Sequence, residues 1–156
     1  MLKLIIIIIL LTGLDQMIKV LISSLFTLGT SKEIINNFFY LTYVQNDGAA
    51  WSLFSNQTLM LILIAVIALV IIYNQFIKNK QLNKIDIILL SMLIAGILGN
   101  LIDRIIYGYV IDYLDFRIFN YNFPVFNLAD TLIVLATIAL LIKTYKEEKH
   151  GKIQST

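Results

Sequence analysis

The sequence predicts an all-α membrane protein of four transmembrane helices, carrying a small β-rich extracytoplasmic loop region. Three observations lead there. The 156 residues are 59% hydrophobic and 14% charged, with a mean hydropathy of +0.85, too apolar for a soluble domain of this size. Four apolar segments approach the roughly 20 residues that a spanning helix needs. The basic residues divide between the connections as the positive-inside rule requires.

The first span is expected from Leu2 to Ile22. Lys3 ahead of the apolar run Leu4 to Leu11 could open a cleavable signal peptide, but no small-x-small site follows, and Asp15, Gln16 and Lys19 continue the helix, so a retained span is expected. The other spans are expected at Leu59 to Ile77, Ile85 to Ile106 and Val125 to Ile142. With a cytoplasmic N-terminus, the inner side holds Lys3, Lys78, Lys80, Lys84, Lys143, Lys146, Lys149 and Lys152, eight of the 12 Lys and Arg. Lys19, Lys32, Arg104 and Arg117 fall in the outer half. Both termini are then cytoplasmic. Seven of the ten acids (Asp15, Glu33, Asp47, Asp103, Asp112, Asp115, Asp130) lie in the outer half. Acids orient spans only weakly, so their clustering points to function on the extracytoplasmic side.

Two outer loops complete the layout. The first, about Ser23 to Thr58, contains Phe38-Phe39-Tyr40-Leu41-Thr42-Tyr43-Val44, whose aromatic and β-branched content predicts a short strand or hairpin. The second, about Tyr107 to Pro124, is aromatic-rich and suits the membrane interface. No repeat or Pro/Gly linker divides the chain, so residues 1–156 are expected to form one domain.

Composition excludes several function classes. A net charge of +2, without a basic run interleaved with aromatics, argues against nucleic-acid binding. The absence of cysteine removes disulfides, thiolate metal sites and a Cys nucleophile, and the one histidine, His150, lies in a Lys-rich tail. No cofactor or metal is expected.

The polar residues inside the spans remain to be explained. Asp15 lies roughly 18 Å beyond Lys3 and Lys19 roughly 6 Å further, both in the outer leaflet and on one helix face. They read either as a structural ion pair, with Lys19 snorkelling, or as part of a site. In the third span Gly96, Asn100, Asp103 and Arg104 form one stripe with Gly99 beside it. A packing seam explains the glycines better than it explains the three polar residues. At the fourth span Asn127 and Asp130 could be simply an N-cap and its capping-box partner. Asp112, however, sits in the preceding loop amid Val110, Ile111, Tyr113 and Leu114, with Asp115 beyond. That is a costly place for a surface carboxylate.

Among hydrolytic machineries, metal catalysis and Ser-His pairs lack ligands or a motif. A Ser-Lys dyad of Ser23 and Lys19 is possible by spacing, with few groups to orient it. Two aspartates sharing a proton supply a general base and a general acid without a cofactor. Asp112 and Asp130 are the expected pair. Two other classes compete: a proton- or ion-coupled transporter, whose site would lie nearer the midplane between repeats, and a non-enzymatic assembly factor, which leaves Asp112 unexplained.

Five blocks in order, Asp15-Gln16-x-x-Lys19, Asn46-x-Gly48-Ala49-Ala50, Gly99-Asn100-x-x-Asp103-Arg104, Val110-x-Asp112 and Phe126-Asn127-x-Ala129-Asp130, resemble the signature of the lipoprotein signal peptidases, or signal peptidase II. The resemblance covers nearly the whole chain. It implies a four-span bacterial peptidase that cuts prolipoproteins before their diacylglyceryl-modified cysteine, with the catalytic aspartates at Asp112 and Asp130. It also implies that Asp15, Lys19, Asn46, Gly48, Ala49, Asn100, Asp103, Arg104, Asn127 and Ala129 shape the site or hold substrate, and that the aromatic first loop forms a cradle. The partners it implies are lipid-modified signal peptides and membrane lipids, and a monomer is expected. Trp51 and Tyr113 stand where the family commonly has Phe, and Ala95 and Ile97 flank Gly96 where Gly and Ala are usual.

Overall fold

The structure is a computed structural model that describes residues 1–49, 53–78, 81–118 and 121–153. Ala50 and Trp51 of the second block, and Lys80 of the basic set, lie outside the described residues. Among the described residues, four helices are long and apolar enough to cross a membrane. They are α1 (Leu2–Leu25), α2 (Thr58–Ile72), α3 (Lys84–Tyr107) and α4 (Leu128–Ile153), with α2 extended by a π-helical turn over Tyr73–Ile77.

The third helix is the axis of the bundle, because α1 and α4 both pack chiefly against it and α2 leans on it more lightly. Its buried positions include Gly96, Gly99, Asn100 and Asp103 of the stripe seen in the sequence, while Arg104, the last of that stripe, is half-buried. The glycines are there for close approach. A Cβ at Gly96 would strike the Ala129 carbonyl oxygen and Ile133 of α4, and one at Gly99 would lie 2.5 Å from Asp15 Oδ2 and 3.2 Å from the Ala129 Cβ. Gly99 therefore marks the point where α1, α3 and α4 converge. On α1 the buried residues are Leu4, Asp15, Lys19 and Ile22, one face of a helix whose other sides carry exposed Ile and Leu for the lipid.

Helix ends are set by local chemistry. An Asn83/Asp86 capping box starts α3, and Gly108 in the left-handed region (φ 83°) ends it. At the same end of the bundle Lys143 of α4 bonds Asp86. The fourth helix begins at Leu128, not at Val125 as the apolar run suggested. Phe126 is instead in an antiparallel bridge with Leu114, which leaves Asn127 as the residue that turns the chain into the helix.

The loops between α1 and α2 and between α3 and α4 form a single antiparallel sheet in the order β1-β2-β3-β4. The expected hairpin is β1 (Ser31–Ile35) with β2 (Phe39–Asn46). The second loop, read only as interfacial, supplies β3 (Val110–Ile118) and β4 (Tyr121–Asn122). Strand β3 is buried on both faces at Val110 to Tyr113, which is why its apolar residues do not alternate with polar ones. Ile111 and Tyr113 pack with Ile22 and Tyr43, holding the sheet on the end of α1. Val110 and Asp112 belong to the other face.

Candidate active site

Asp112 is brought to the bundle by register. In the β2–β3 ladder Val44 lies opposite Asp112 and Asn46 opposite Val110, so Asn46 is the diagonal neighbour of Asp112. Asn46 Nδ2 donates to Asp112 Oδ2 at 2.9 Å. On the far side Asn127 Nδ2 donates to Asp112 Oδ1 at 2.7 Å. Asp130 is held by the first turn of α4. The backbone N–H of Asp130 donates to Asn127 Oδ1 (2.9 Å), and that of Asn127 to Asp130 Oδ2 (3.2 Å), a reciprocal capping box. Asn100 Nδ2 donates to Asp130 Oδ1 at 2.7 Å. All four carboxylate oxygens of the two aspartates thus accept a protein hydrogen bond.

The orientation of each amide is forced. Asn100 Oδ1 accepts from the Lys19 ammonium (3.0 Å), Asn46 Oδ1 from the Gly48 N–H (3.0 Å) and Asn127 Oδ1 from the Asp130 N–H. These partners can only donate, so each amide must present its NH2 to an aspartate. Asp112 is 2% exposed. Burial and the nearby charge of Asp130 push its carboxyl up to about 7, against the opposing pull of the Asn46 and Asn127 bonds.

Behind the pair lies a buried ion triad. Lys19 Nζ is 2.9 Å from Asp15 Oδ2 and 2.9 Å from Asp103 Oδ2, with all three side chains at most 1% exposed. Lys19 does not snorkel. The other oxygen of Asp15 accepts the backbone N–H of Ala129 (3.0 Å), and Asp103 Oδ2 also accepts that of Ile111 (3.1 Å). Ala129 precedes Asp130 and Ile111 precedes Asp112. One ammonium therefore anchors, through two carboxylates, the backbone N–H of the residue just before each aspartate of the pair.

Arg104 reaches out of α3 to the loop after β2, with Nη2 donating to the Gly48 carbonyl at 2.7 Å. Its Nε is buried and has no partner among the described residues. Ala49 follows Gly48, and both it and Arg104 line a cavity of about 150 Å³ together with Asn46, Asn100, Asp112 and Asp130. Every predicted site residue belongs to this cavity or to the network behind it. Asp115 does not: it accepts from Thr42 Oγ1 and pairs with Arg117, whose guanidinium lies 3.8 Å over the Tyr40 ring. Ser23 donates to the Val20 carbonyl on the exposed side of α1, away from the buried Lys19, so no Ser-Lys dyad forms.

Two residues of the network were not among the expected site residues. Gln16 Nε2 donates to Asp103 Oδ1 (2.8 Å) and the Gly99 carbonyl (3.1 Å), and the Tyr113 hydroxyl accepts the Leu128 N–H (3.1 Å) at the start of α4. Gln16 stood in the first of the five blocks, but no role was read for it. Tyr113 was marked only as a departure from Phe, and the partner of its hydroxyl is brought in by the fold.

A bundle of four spanning helices with a paired-carboxylate cavity at the end that meets the sheet defines a class, a polytopic membrane protein with the groups for acid–base hydrolysis. The family model described as signal peptidase (SPase) II matches residues 7–146. Lipoprotein signal peptidases of Staphylococcus aureus strains JH9 and Newman are each 38% identical over 138 residues, covering 88% of this chain and 85% of theirs. A bacterial membrane enzyme structure obtained by the in meso method superposes with a TM-score of 0.87 at 35% identity, covering 94% of this chain and 90% of the other. A second superposes at 0.81 with 36% identity, covering 90% and 91%. The chain belongs to the signal peptidase II family.

Proposed function

We propose that this chain removes signal peptides from lipid-modified prolipoproteins, cutting before the diacylglyceryl-cysteine with water activated between Asp112 and Asp130. The observation that carries the reading is the pair itself: two aspartates lining one cavity, every oxygen held by a donor whose orientation is forced. Asp130, at the N-terminal turn of α4, is the better placed to stay ionised. It takes a proton from water as the oxygen attacks the scissile carbonyl carbon. Asp112 gives its proton to the leaving α-amine of the lipidated cysteine, the C–N bond breaks, and the proton left on Asp130 restores the shared state. Preorganised donors cost no reorganisation at that moment. The test is conversion of a lipidated precursor by the purified protein in proteoliposomes. Absence of cleavage by a folded protein would overturn the reading.

The pH profile carries the sign of the shift at Asp112. A carboxyl raised from 3.8 to about 7 is protonated at neutral pH and below, so cleavage should decline as pH rises through about 7. The same shift works on folding: its stabilising contribution is complete below 3.8 and disappears as pH rises to about 7. A rate that keeps climbing to about pH 9 would remove Asp112 from the role of acid.

The basic residues support a topology with both termini cytoplasmic and the sheet and cavity outside. Reporter fusions after Lys78 and Lys149 should then report the cytoplasm and one at Glu33 the exterior; opposite sides for the first two would break this arrangement. All groups that the reaction uses come from one chain, which supports a single-domain monomer as the working unit.

A further inference from the structure

The end of the bundle away from the aspartates holds a separate cavity, of about 260 Å³, that no step of the chemistry uses. It lies where α2, α3 and α4 meet. The π-helical turn over Tyr73–Ile77 widens the end of α2, and Gln75 and Phe76 of that turn form one wall. Asp86 and Leu90 of α3 face Leu140, Lys143 and Glu147 of α4 across it. The floor is apolar, with Leu90 buried, and the rim is open, with the Glu147 side chain 63% exposed. Lys143 Nζ bonds both Asp86 and Glu147. Among the described residues the lining therefore carries two carboxylates to one ammonium, a net negative charge. From Asp130 to Lys143 is 13 residues of α4, about 20 Å. With a hydrocarbon core about 30 Å thick, that separation sets the cavity near the headgroups of the leaflet opposite the aspartates.

We propose that this cavity seats the headgroup of a phospholipid that carries a primary ammonium, drawn from the leaflet opposite the aspartates. The inference does not depend on the catalytic reading. A charged rim above an apolar floor follows the order of a lipid, with its headgroup outermost and its chains below. The excess carboxylate calls for a cation, and the ammonium supplies it through charge-assisted hydrogen bonds to Asp86 and Glu147. Lys143 has three N–H donors and gives two to these acids, so one is left for a phosphate oxygen. The Gln75 amide and the Thr144 hydroxyl are neutral partners for the glycerol ester oxygens. A purely anionic headgroup fits worse, because its phosphate meets two carboxylates and brings them no cation. A quaternary ammonium fits worse as well, because it has no N–H to donate. Since α2 packs only lightly on α3, a headgroup held by all three helices also ties down that end of α2.

The experiment uses the full chain in maltoside micelles, stripped of lipid and titrated with phosphatidylethanolamine, phosphatidylcholine or phosphatidylglycerol of identical acyl chains. Native mass spectrometry counts the bound lipid. Phosphatidylethanolamine should bind about tenfold more tightly than phosphatidylcholine and should raise the melting temperature further. Glu147→Gln removes a carboxylate at an exposed position, and Thr144→Trp fills the cavity from its rim. Each should bring the two affinities close to parity while the protein stays folded. Equal affinities in the wild type overturn the proposal, as does tighter binding of phosphatidylglycerol, which would make the cavity an anion site. A full preference kept by both folded variants overturns it too, because the lipid then binds elsewhere. In phosphatidylethanolamine–phosphatidylglycerol vesicles that also hold a lipidated precursor, a photo-crosslinker replacing Gln75 should attach phosphatidylethanolamine. Attachment of the precursor's peptide alone would give the cavity to the substrate and overturn the lipid assignment.

Discussion

Asp112→Asn and Asp130→Asn should each abolish nearly all cleavage while leaving the protein inserted and folded. Asparagine keeps the shape of the carboxylate but cannot exchange protons, so either change removes one half of a base–acid exchange. The losses should not add. Residues that act as a unit are as well removed singly as together, so the double variant should be little worse than either single one. Asp115→Asn is the control, because that carboxylate bonds Thr42 and Arg117 and does not line the cavity. It should retain much of the wild-type rate. The readout is accumulation of lipidated, uncleaved precursor, with thermal stability measured alongside. Near-normal turnover by a folded Asp112→Asn or Asp130→Asn protein would sink the pair, and a dead Asp115→Asn beside an active Asp112→Asn would shift the role to the wrong-side carboxylate.

Lys19→Met should be nearly as damaging by a different route. It leaves Asp15 and Asp103 facing each other without the ammonium that compensates both, in a region at most 1% exposed. Removing one partner of a buried ion pair typically costs about 3–5 kcal/mol. The melting temperature and the turnover should therefore fall together. A triple variant separates the two effects. With Asp15→Asn and Asp103→Asn added, the stranded charges are gone and the new amide oxygens can still accept the Ala129 and Ile111 N–H groups, so stability should recover in part. Activity should recover less, because Asn100 has lost the charged donor to its amide oxygen and only the Asn127 amide is left to hold it against Asp130. A Lys19→Met protein of wild-type stability and rate would show that the triad anchors nothing.

How much of this was readable beforehand depended on the reach of each interaction. The spans were legible because apolar length is a local property, and the hairpin of β1 and β2 because Phe38 to Val44 is rich in strand-forming residues. Strand β3 was not read as a strand: buried on both faces, it shows neither alternation nor a helical period. The start of α4 was set three residues late of Val125 by the Leu114–Phe126 bridge, a pairing across the loop. For Asp130 the local and the functional readings are not rivals, since the capping box and the cavity use the same carboxylate. The i, i+4 pairing of Asp15 and Lys19 was legible, but not Asp103 as the third member, because it comes from α3. Arg104 was read from its stripe and block as a site residue, while its bond to the Gly48 carbonyl depends on a loop 56 residues away. The direction of the three asparagine amides could be learned only from their donors.

The contact at Gly99 has a consequence for how such a chain can change over generations. A methyl group there would overlap the Asp15 carboxylate, whose other oxygen holds the Ala129 amide 114 residues along the chain. Position 99 and position 15 are therefore one locus in all but sequence: a bulkier residue at the first demands a retreat at the second, and that retreat loosens the turn carrying Asp130. A lineage crossing this point must pass through a protein with a disturbed site, so drift should be arrested here even though neither position lines the cavity of the aspartate pair. What looks like a helix-packing glycine is a barrier between neighbouring sequences.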